Sequence, residues 1–442
     1  MFIVVTILHK SKKYLIQLFV VLLFLKVVKM KKISVYLLTI LLILLTIFIY
    51  VKDKELDDIF SFLDKGIGHW ERTPNMTSPR DYTASAVLMA DGNVLISGGH
   101  DGHQFLESAE IYYPKENVFK PTGSMNEKRY QHFSFLLNNG EIVIIGGNSI
   151  GNKRNIKDVE IYKPKEKVFV KTDELPELLL GNCLLSSNGY IVSQNAIYNL
   201  VTKKYKDLNI NYFRIDANSI EAQNSIYTID GWVVKDYPHG KLNKTIVPAK
   251  GDGYILTNSV EKYNFENGSY SIVGNSVLPK RSSALIKLPD SKILIVGGDV
   301  YKASGTGSDN GLLDYSVYRK NIYPKFKKQF KQYWWWKNKT QYLELYDTNS
   351  NTSKIVGQKL KYAFGAHKNS DLILLQNRYV YVANGLGRRD ELIDTKTWIN
   401  YPVKKVPHTK LKNSIVVKLD ENSILFLVKR RNKSYGYIFR LN

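Results

Sequence analysis

Apolar residues along this 442-residue chain fall into short runs between polar turns, with one long run near the N-terminus. The clearest short runs are Val94-Leu95-Ile96, after Asp91-Gly92, and Ile142-Val143-Ile144-Ile145, after Asn139-Gly140. Gly98-Gly99 and Gly146-Gly147 follow them. Then come Ala109-Glu110-Ile111-Tyr112 with Phe119, and Val159-Glu160-Ile161-Tyr162 with Phe169. Runs this short read as strands, and their lack of clean alternation predicts burial on both faces. Asp-Gly or Asn-Gly between such runs predicts a hairpin through a type I′ turn, with positive φ at both central residues. A Gly-Gly pair marks a place where another backbone comes close. The paired aromatics bracket a turn and fill buried space.

Weaker copies follow. Asn188-Gly189 precedes Tyr190-Ile191-Val192, Ala196-Ile197-Tyr198 and Tyr205; Asp252-Gly253 precedes Tyr254-Ile255-Leu256, Glu261-Lys262-Tyr263 and Tyr270. Asp290 precedes Ile293-Leu294-Ile295-Val296 and Gly297-Gly298, and that copy resumes at Glu344-Leu345-Tyr346. Further apolar cores lie at 226–229, 379–382 and 424–427. The first two copies are about 50 residues apart, the period of four-stranded propeller blades. The expected fold is all-β, a propeller over residues 69–442 with an insertion at 300–341. Seven blades are expected, with six or eight still open. The stretch 226–274 holds too many strands for one blade and too few for two. The last copy has room for two or three strands before the C-terminus. His69-Trp70-Glu71-Arg72 reads as an outer strand without a blade, so pairing the two ends would close the ring.

Apolar run, Gly-Gly and spaced aromatics together resemble the kelch repeat. The first two copies resemble its bacterial form, in which Met and Arg precede the inner strand: Met76 and Arg80, then Met125 and Arg129, then Lys280-Arg281 without the Met. The resemblance implies a kelch-type propeller like the central domain of galactose-oxidase-like proteins. Later copies depart from it, with Gln194-Asn195 and Asn384-Gly385 in place of Gly-Gly, and Trp near the aromatic place only at Trp398.

The long apolar run, residues 33–51, carries no charge. About 20 such residues span a bilayer as a helix. Lys29, Lys31 and Lys32 precede it, so the positive-inside rule puts them in the cytoplasm and the propeller outside. Phe48-Ile49-Tyr50 offers no small-residue cleavage signal, so residues 30–52 read as an uncleaved signal-anchor, with 53–68 as a tether. Residues 1–29 read as an extension upstream of a true start at Met30, or as a second helix.

Composition narrows the function classes. The formal net charge is +23, which draws anionic polymers or simply reflects lysines spread over solvated faces. No recognition helix, zinc-finger spacing or ribonucleoprotein motif points to nucleic acid. The one cysteine, Cys183, excludes an internal disulfide and reads as a buried structural thiol. The insertion carries Trp334, Trp335 and Trp336, half of the six tryptophans, and residues 315–340 include no acid. Aromatics mixed with Lys and Arg suit a membrane interface, a sugar or an anionic polymer; the alternative is a loop burying its tryptophans on the propeller edge. Arg80, Arg129 and Arg281 read as repeat-equivalent, either a ring for a carboxylate or phosphate or partners of acids such as Glu110 and Glu160. His100-Asp101-Gly102-His103 is an incomplete metal set. His132 and His367 read as structural.

The sequence is thus read as a membrane-anchored, extracytoplasmic binding module for a protein or glycan, needing no cofactor. Two alternatives remain. One is a carbohydrate-acting enzyme resembling a sialic-acid epimerase or a copper-radical sugar oxidase, although the oxidase resemblance implies a Cys–Tyr crosslink for which Cys183 is the one candidate. The other is a cytoplasm-facing adaptor. No nucleophile–base pair or paired carboxylates can be assigned to one site, and the fold alone does not imply catalysis.

Overall fold

The computed structural model describes residues 66–442 apart from 150–155, 178, 180–182, 194–195, 208–213, 216, 235–246, 251–253, 278, 299–311, 314–333, 336–338, 341, 358–359, 361–371, 384–389, 407–410, 412–413 and 442. The expected membrane span at 33–51 lies outside these residues. Among the described residues there is no helix.

The strands form seven four-stranded antiparallel sheets, the seven blades of a propeller. In the first blade the strands run Ser85–Leu88, Val94–Ser97, Ala109–Tyr113 and Val118–Pro121, each paired to the next. The second repeats the meander with Phe133–Leu136, Ile142–Ile145, Asp158–Lys163 and Val168–Glu174. All of Val94–Ser97 and Ile142–Ile145 is buried, because neighbouring blades cover both faces of the second strand. One apolar cluster joins Val94, Ile96 and Tyr112 of the first blade to Leu425 and Ile438 of the last. The next joins Leu95 and Ile111 to Ile142, Ile144 and Tyr162 of the second blade.

The ring closes with strands from both ends of the described chain. His69–Asn75 pairs antiparallel with Lys433–Arg440 as the outer strand of the seventh blade. Trp70 sits edge-on to Phe426, Tyr437 and Phe439, and its Nε1 donates to the Lys404 carbonyl at 2.6 Å in the blade before.

Two expectations need correction. Asp91-Gly92 and Asn139-Gly140 do not form type I′ turns. Only the glycines have positive φ, 83° at Gly92 and 85° at Gly140, and Gly92 N–H donates back to the Met89 carbonyl. These are longer loops built on an ordinary turn ending in a left-handed glycine. Positive φ at both central residues occurs at Gln223–Asn224, which joins Ala222 to Ser225. Trp398 has φ 56°, in the turn ahead of its strand, where the first blade has Asn117 with φ 51°. It therefore lies outside the repeat's aromatic position.

The crowded stretch 226–274 is one blade interrupted by a second sheet. Asn218–Ala222, Ser225–Ile229, Ser259–Asn264 and Tyr270–Asn275 form the fourth blade. Trp232–Val234, Val247–Lys250 and Tyr254–Leu256, lying between its second and third strands, belong to a separate five-stranded sheet.

Candidate functional site

In a four-stranded meander the loops between second and third strands, and the crossings between blades, lie at one end. That end is built on buried charge. Glu110, on the third strand of the first blade, is 0% exposed. Its Oε1 accepts from Arg80 Nε at 2.9 Å, and its Oε2 accepts from the Thr77 N–H and hydroxyl, both at 2.8 Å. Arg80 Nη1 donates to the carbonyls of Gly98 and Ser108. The second blade repeats this. Arg129 Nε and Nη2 donate to Glu160 Oε1 at 3.1 and 2.8 Å, Nη1 donates to the Gly146 carbonyl, and Asn126 donates twice to Glu160 Oε2. Buried charges persist when paired and hydrogen-bonded, and the planar guanidinium supplies both. The Gly-Gly pairs let the crossing chain pass close by. A Cβ on Gly98 would stand 2.4 Å from the Arg129 carbonyl oxygen, and one on Gly99 2.7 Å from Ala84 Cβ.

Both guanidiniums are therefore engaged by protein oxygens, the second of the two readings given for them. The equivalence assigned to Arg281 is corrected. The residue that reaches the third-strand glutamate of the fifth blade is Lys280, whose Nζ lies 2.5 Å from Glu344 Oε2. Glu344 Oε1 accepts from the Val277 N–H at 2.6 Å, as Glu110 does from Thr77 and Glu160 from Asn126. Arg80, Arg129 and Lys280 each lie three positions beyond that donor. Pro79-Arg80 and Pro279-Lys280 carried the signal, whereas aligning on arginine shifted the register by one. Arg281 is half-buried one position further on.

The fifth-blade pair has an additional member. Asp230, at the end of the second strand of the fourth blade, places Oδ2 3.4 Å from Lys280 Nζ. Asp230, Lys280 and Glu344 are each 0% exposed. Ser276 and Ser283 donate hydroxyl hydrogen bonds to the two Asp230 oxygens. Burial, opposed by Lys280 and helped by Glu344, pushes the Asp230 carboxyl up to about 6. Burial would lower Lys280, but the two carboxylates outweigh it and hold the ammonium above its ordinary range. Sequence reading missed Asp230, since nothing in Ile229-Asp230-Gly231 distinguishes it from a turn residue.

This cluster stands where two long insertions leave the propeller. Residues 230–258 interrupt the fourth blade, and 297–342 interrupt the fifth, both between second and third strands. The insertions meet. Ala249 and Lys250 of the first pair with Leu313 and Leu312 of the second, in the sheet that also holds Arg214–Ile215 from the crossing before the fourth blade. In register, Ile215 pairs with Trp232, Trp232 with Leu256, and Leu256 with Val247. Trp334–Trp335 forms a separate two-stranded ribbon with Lys339–Thr340. Trp336 lies outside the described residues.

The remaining candidates make contacts within the fold. His132 is buried, its Nε2 2.9 Å from Ser97 Oγ, and burial with nearby Arg129 and Arg80 pushes it down to about 3. His100 Nδ1 accepts from the Gly102 N–H, and Asp101 Oδ1 accepts from the N–H groups of His103 and Gln104, so this loop is held by its own hydrogen bonds. Cys183 packs against the apolar cluster of the second and third blades, and desolvation pushes its thiol up to about 12. His367 lies outside the described residues. At the opposite end, a cleft of about 570 Å³ is lined by the turns around Asp91, Asn139 and Lys165.

Comparison with known proteins agrees with this architecture. A family model described as the Kelch motif matches residues 82–126, which contain the first blade. The Caenorhabditis elegans protein described as spermatocyte protein spe-26 is 28% identical over 129 residues, 28% of this chain and 22% of that protein. The chain thus spans about a fifth of the length of the curated relative it matches. A solved structure of a fungal alcohol oxidase of the AA5 family, in complex with copper, superposes with a TM-score of 0.57 at 12% identity. That match covers 85% of this chain and 76% of the oxidase, and at such identity it bears on the fold alone.

Proposed function

Taking as premise that the chain is a kelch-repeat β-propeller, we propose that it is a binding module. It would be held at a membrane by residues 30–52, displayed outside the cytoplasm, and bind an anionic glycan through the end that carries the two insertions. The observation that carries this reading is the accessory sheet. Two insertions from adjacent blades, which share a strand pairing, build a surface that the propeller itself does not need. Long loops in compact repeats are commonly functional, and insertions gather on one face, often the binding face. The net charge of +23, with no acid between 315 and 340, favours an anionic partner.

The test is an array of neutral and acidic oligosaccharides probed with detergent-solubilised full chain. Acidic sugars should be retained. Retention should fall at least tenfold when Trp334, Trp335 and Trp336 are replaced by Ala. Equal retention by the variant would reject the insertion as the contact, and no selective retention would reject the glycan.

An oxidase reading has one observation in its favour, the fold shared with the alcohol oxidase. Copper loading followed by assay of alcohol and sugar oxidation decides it. Turnover would replace the binding reading.

A further inference from the structure

The first two blades close their crossings with one cation and one carboxylate, Arg80 with Glu110 and Arg129 with Glu160. Among the described residues, the fifth brings together one cation and two carboxylates. Lys280 Nζ lies 2.5 Å from Glu344 and 3.4 Å from Asp230, with all three side chains 0% exposed. A buried site with a surplus negative charge gains by taking up a proton. Once one carboxyl is neutral, the remaining ion pair has the one-to-one composition of the other two crossings.

The cluster is also the meeting point of the two insertion roots. Asp230 begins the first insertion, and the next residue, Gly231, donates its N–H to the Lys280 carbonyl at 2.8 Å. The returning end is held by the Thr257 N–H on the Gly231 carbonyl at 3.0 Å. Glu344 stands just beyond the second insertion, and buried Tyr342 places its ring 5.3 Å from Lys280 Nζ. Among the described residues, the groups facing Asp230 include Lys280, Glu344 and Tyr342, with the hydroxyls of Ser276 and Ser283.

We propose that Asp230, Lys280 and Glu344 form a proton-binding latch: uptake of one proton by Asp230 fastens the roots of both insertions to the propeller. The sign follows from linkage. The Asp230 carboxyl is raised from 3.8 to about 6 by the fold, so the rooted state binds the proton more tightly than an opened one. The stabilisation is complete below 3.8 and is lost as pH rises through about 6. The roots are tighter in mild acid and looser at neutral pH. On the reading of the accessory sheet as the binding surface, ligand affinity would follow the same curve, but the latch is tested without a ligand.

The experiment uses the full chain in detergent with carboxyl-¹³C aspartate, followed by NMR from pH 4 to 8. One aspartate carboxyl should titrate near 6 and be missing from Asp230→Asn. Hydrogen exchange by mass spectrometry, corrected for intrinsic rates, should show the peptides containing Gly231 and Thr257 opening at least tenfold more often at pH 7.5 than at pH 5. In Asp230→Asn they should stay at the acid value at both. Should that variant not fold, Ser276→Ala removes a hydrogen bond to the ionised carboxyl and should move the midpoint upward. No aspartate titrating between pH 5 and 7, or root opening independent of pH in the wild type, would overturn the latch. Glycan retention independent of pH, with an intact titration, would count against the binding surface only.

Discussion

At the residue scale, charge and burial decide the behaviour of a few side chains. Arg129 and Glu160 form a pair whose members are each 0% exposed. Removing one partner leaves the other charged and dry, which costs about 3 to 5 kcal/mol, while removing both costs much less. Denaturant unfolding of Arg129→Met, Glu160→Gln and the double variant should therefore show strong non-additivity, and additive losses would contradict the pairing. His132 is the counterpart that must stay neutral. Its imidazole is lowered from 6.5 to about 3, so the unfolded chain binds the proton better throughout that window. The stability this contributes is present above 6.5 and drains as pH falls toward 3. At pH 4.5 the loss is about 2 to 3 kcal/mol, from 1.36 kcal/mol per unit. His132→Gln should lose about that much less than wild type between pH 7 and 4.5 in urea titrations. Asp230 acts in the opposite sense over the same range, so its latch needs a local readout. The Arg–Glu partnership was legible in the sequence as one of two alternatives. The register of Lys280 was not, because a lysine ends the same reach that arginine makes elsewhere, and sequence alignment weights the identity of the cation over its position.

At the scale of elements, the repeated phrase marks the second and third strands in the first, second, third and fifth blades, whereas the copy at Tyr254–Leu256 falls in the accessory sheet. Second and third strands are those a blade must bury on both sides. That is why 94–97 and 142–145 were readable as strands while the outer strands, which are exposed on one side, were weaker signals. His69–Asn75 was the exception, legible because it stood outside any repeat while the last repeat lacked a strand. It contributes Trp70 to the aromatic cluster with Phe426 and Phe439, and Thr73 Oγ1 to the Gly436 N–H at 2.6 Å. Deleting residues 68–73 should abolish the cooperative thermal transition of the whole propeller, because the seventh blade would lose its outer strand and the ring its closure. An unchanged melting temperature would contradict that. The accessory sheet was illegible for a physical reason. Its strands are two to four residues long and pair across two insertions, so neither period nor turn chemistry announces them, and the same apolar triplets were read as crowding inside a blade.

At the scale of the whole molecule, the propeller's two ends are unlike each other. One carries the short turns of the first and third hairpins. The other carries the buried ion pairs, the insertions and their shared sheet, with the acid-free stretch of 315–340 in the second insertion. On the proposed reading, a ring with one elaborated end presents its binding surface there, and the net charge of +23 favours an anionic partner. Sidedness belongs to this scale too: an alkaline phosphatase reporter fused after residue 442 should be active, as expected for an extracytoplasmic propeller, and an inactive reporter with full expression would place the propeller in the cytoplasm. The central claim, that the insertion end is the binding surface, is tested most directly by hydrogen exchange of the full chain with and without a carboxylated oligosaccharide. The account predicts slowed exchange within 230–258 and 297–342, with the opposite turns around Asp91 and Asn139 unaffected. Protection at those opposite turns, with the insertions unchanged, would contradict it.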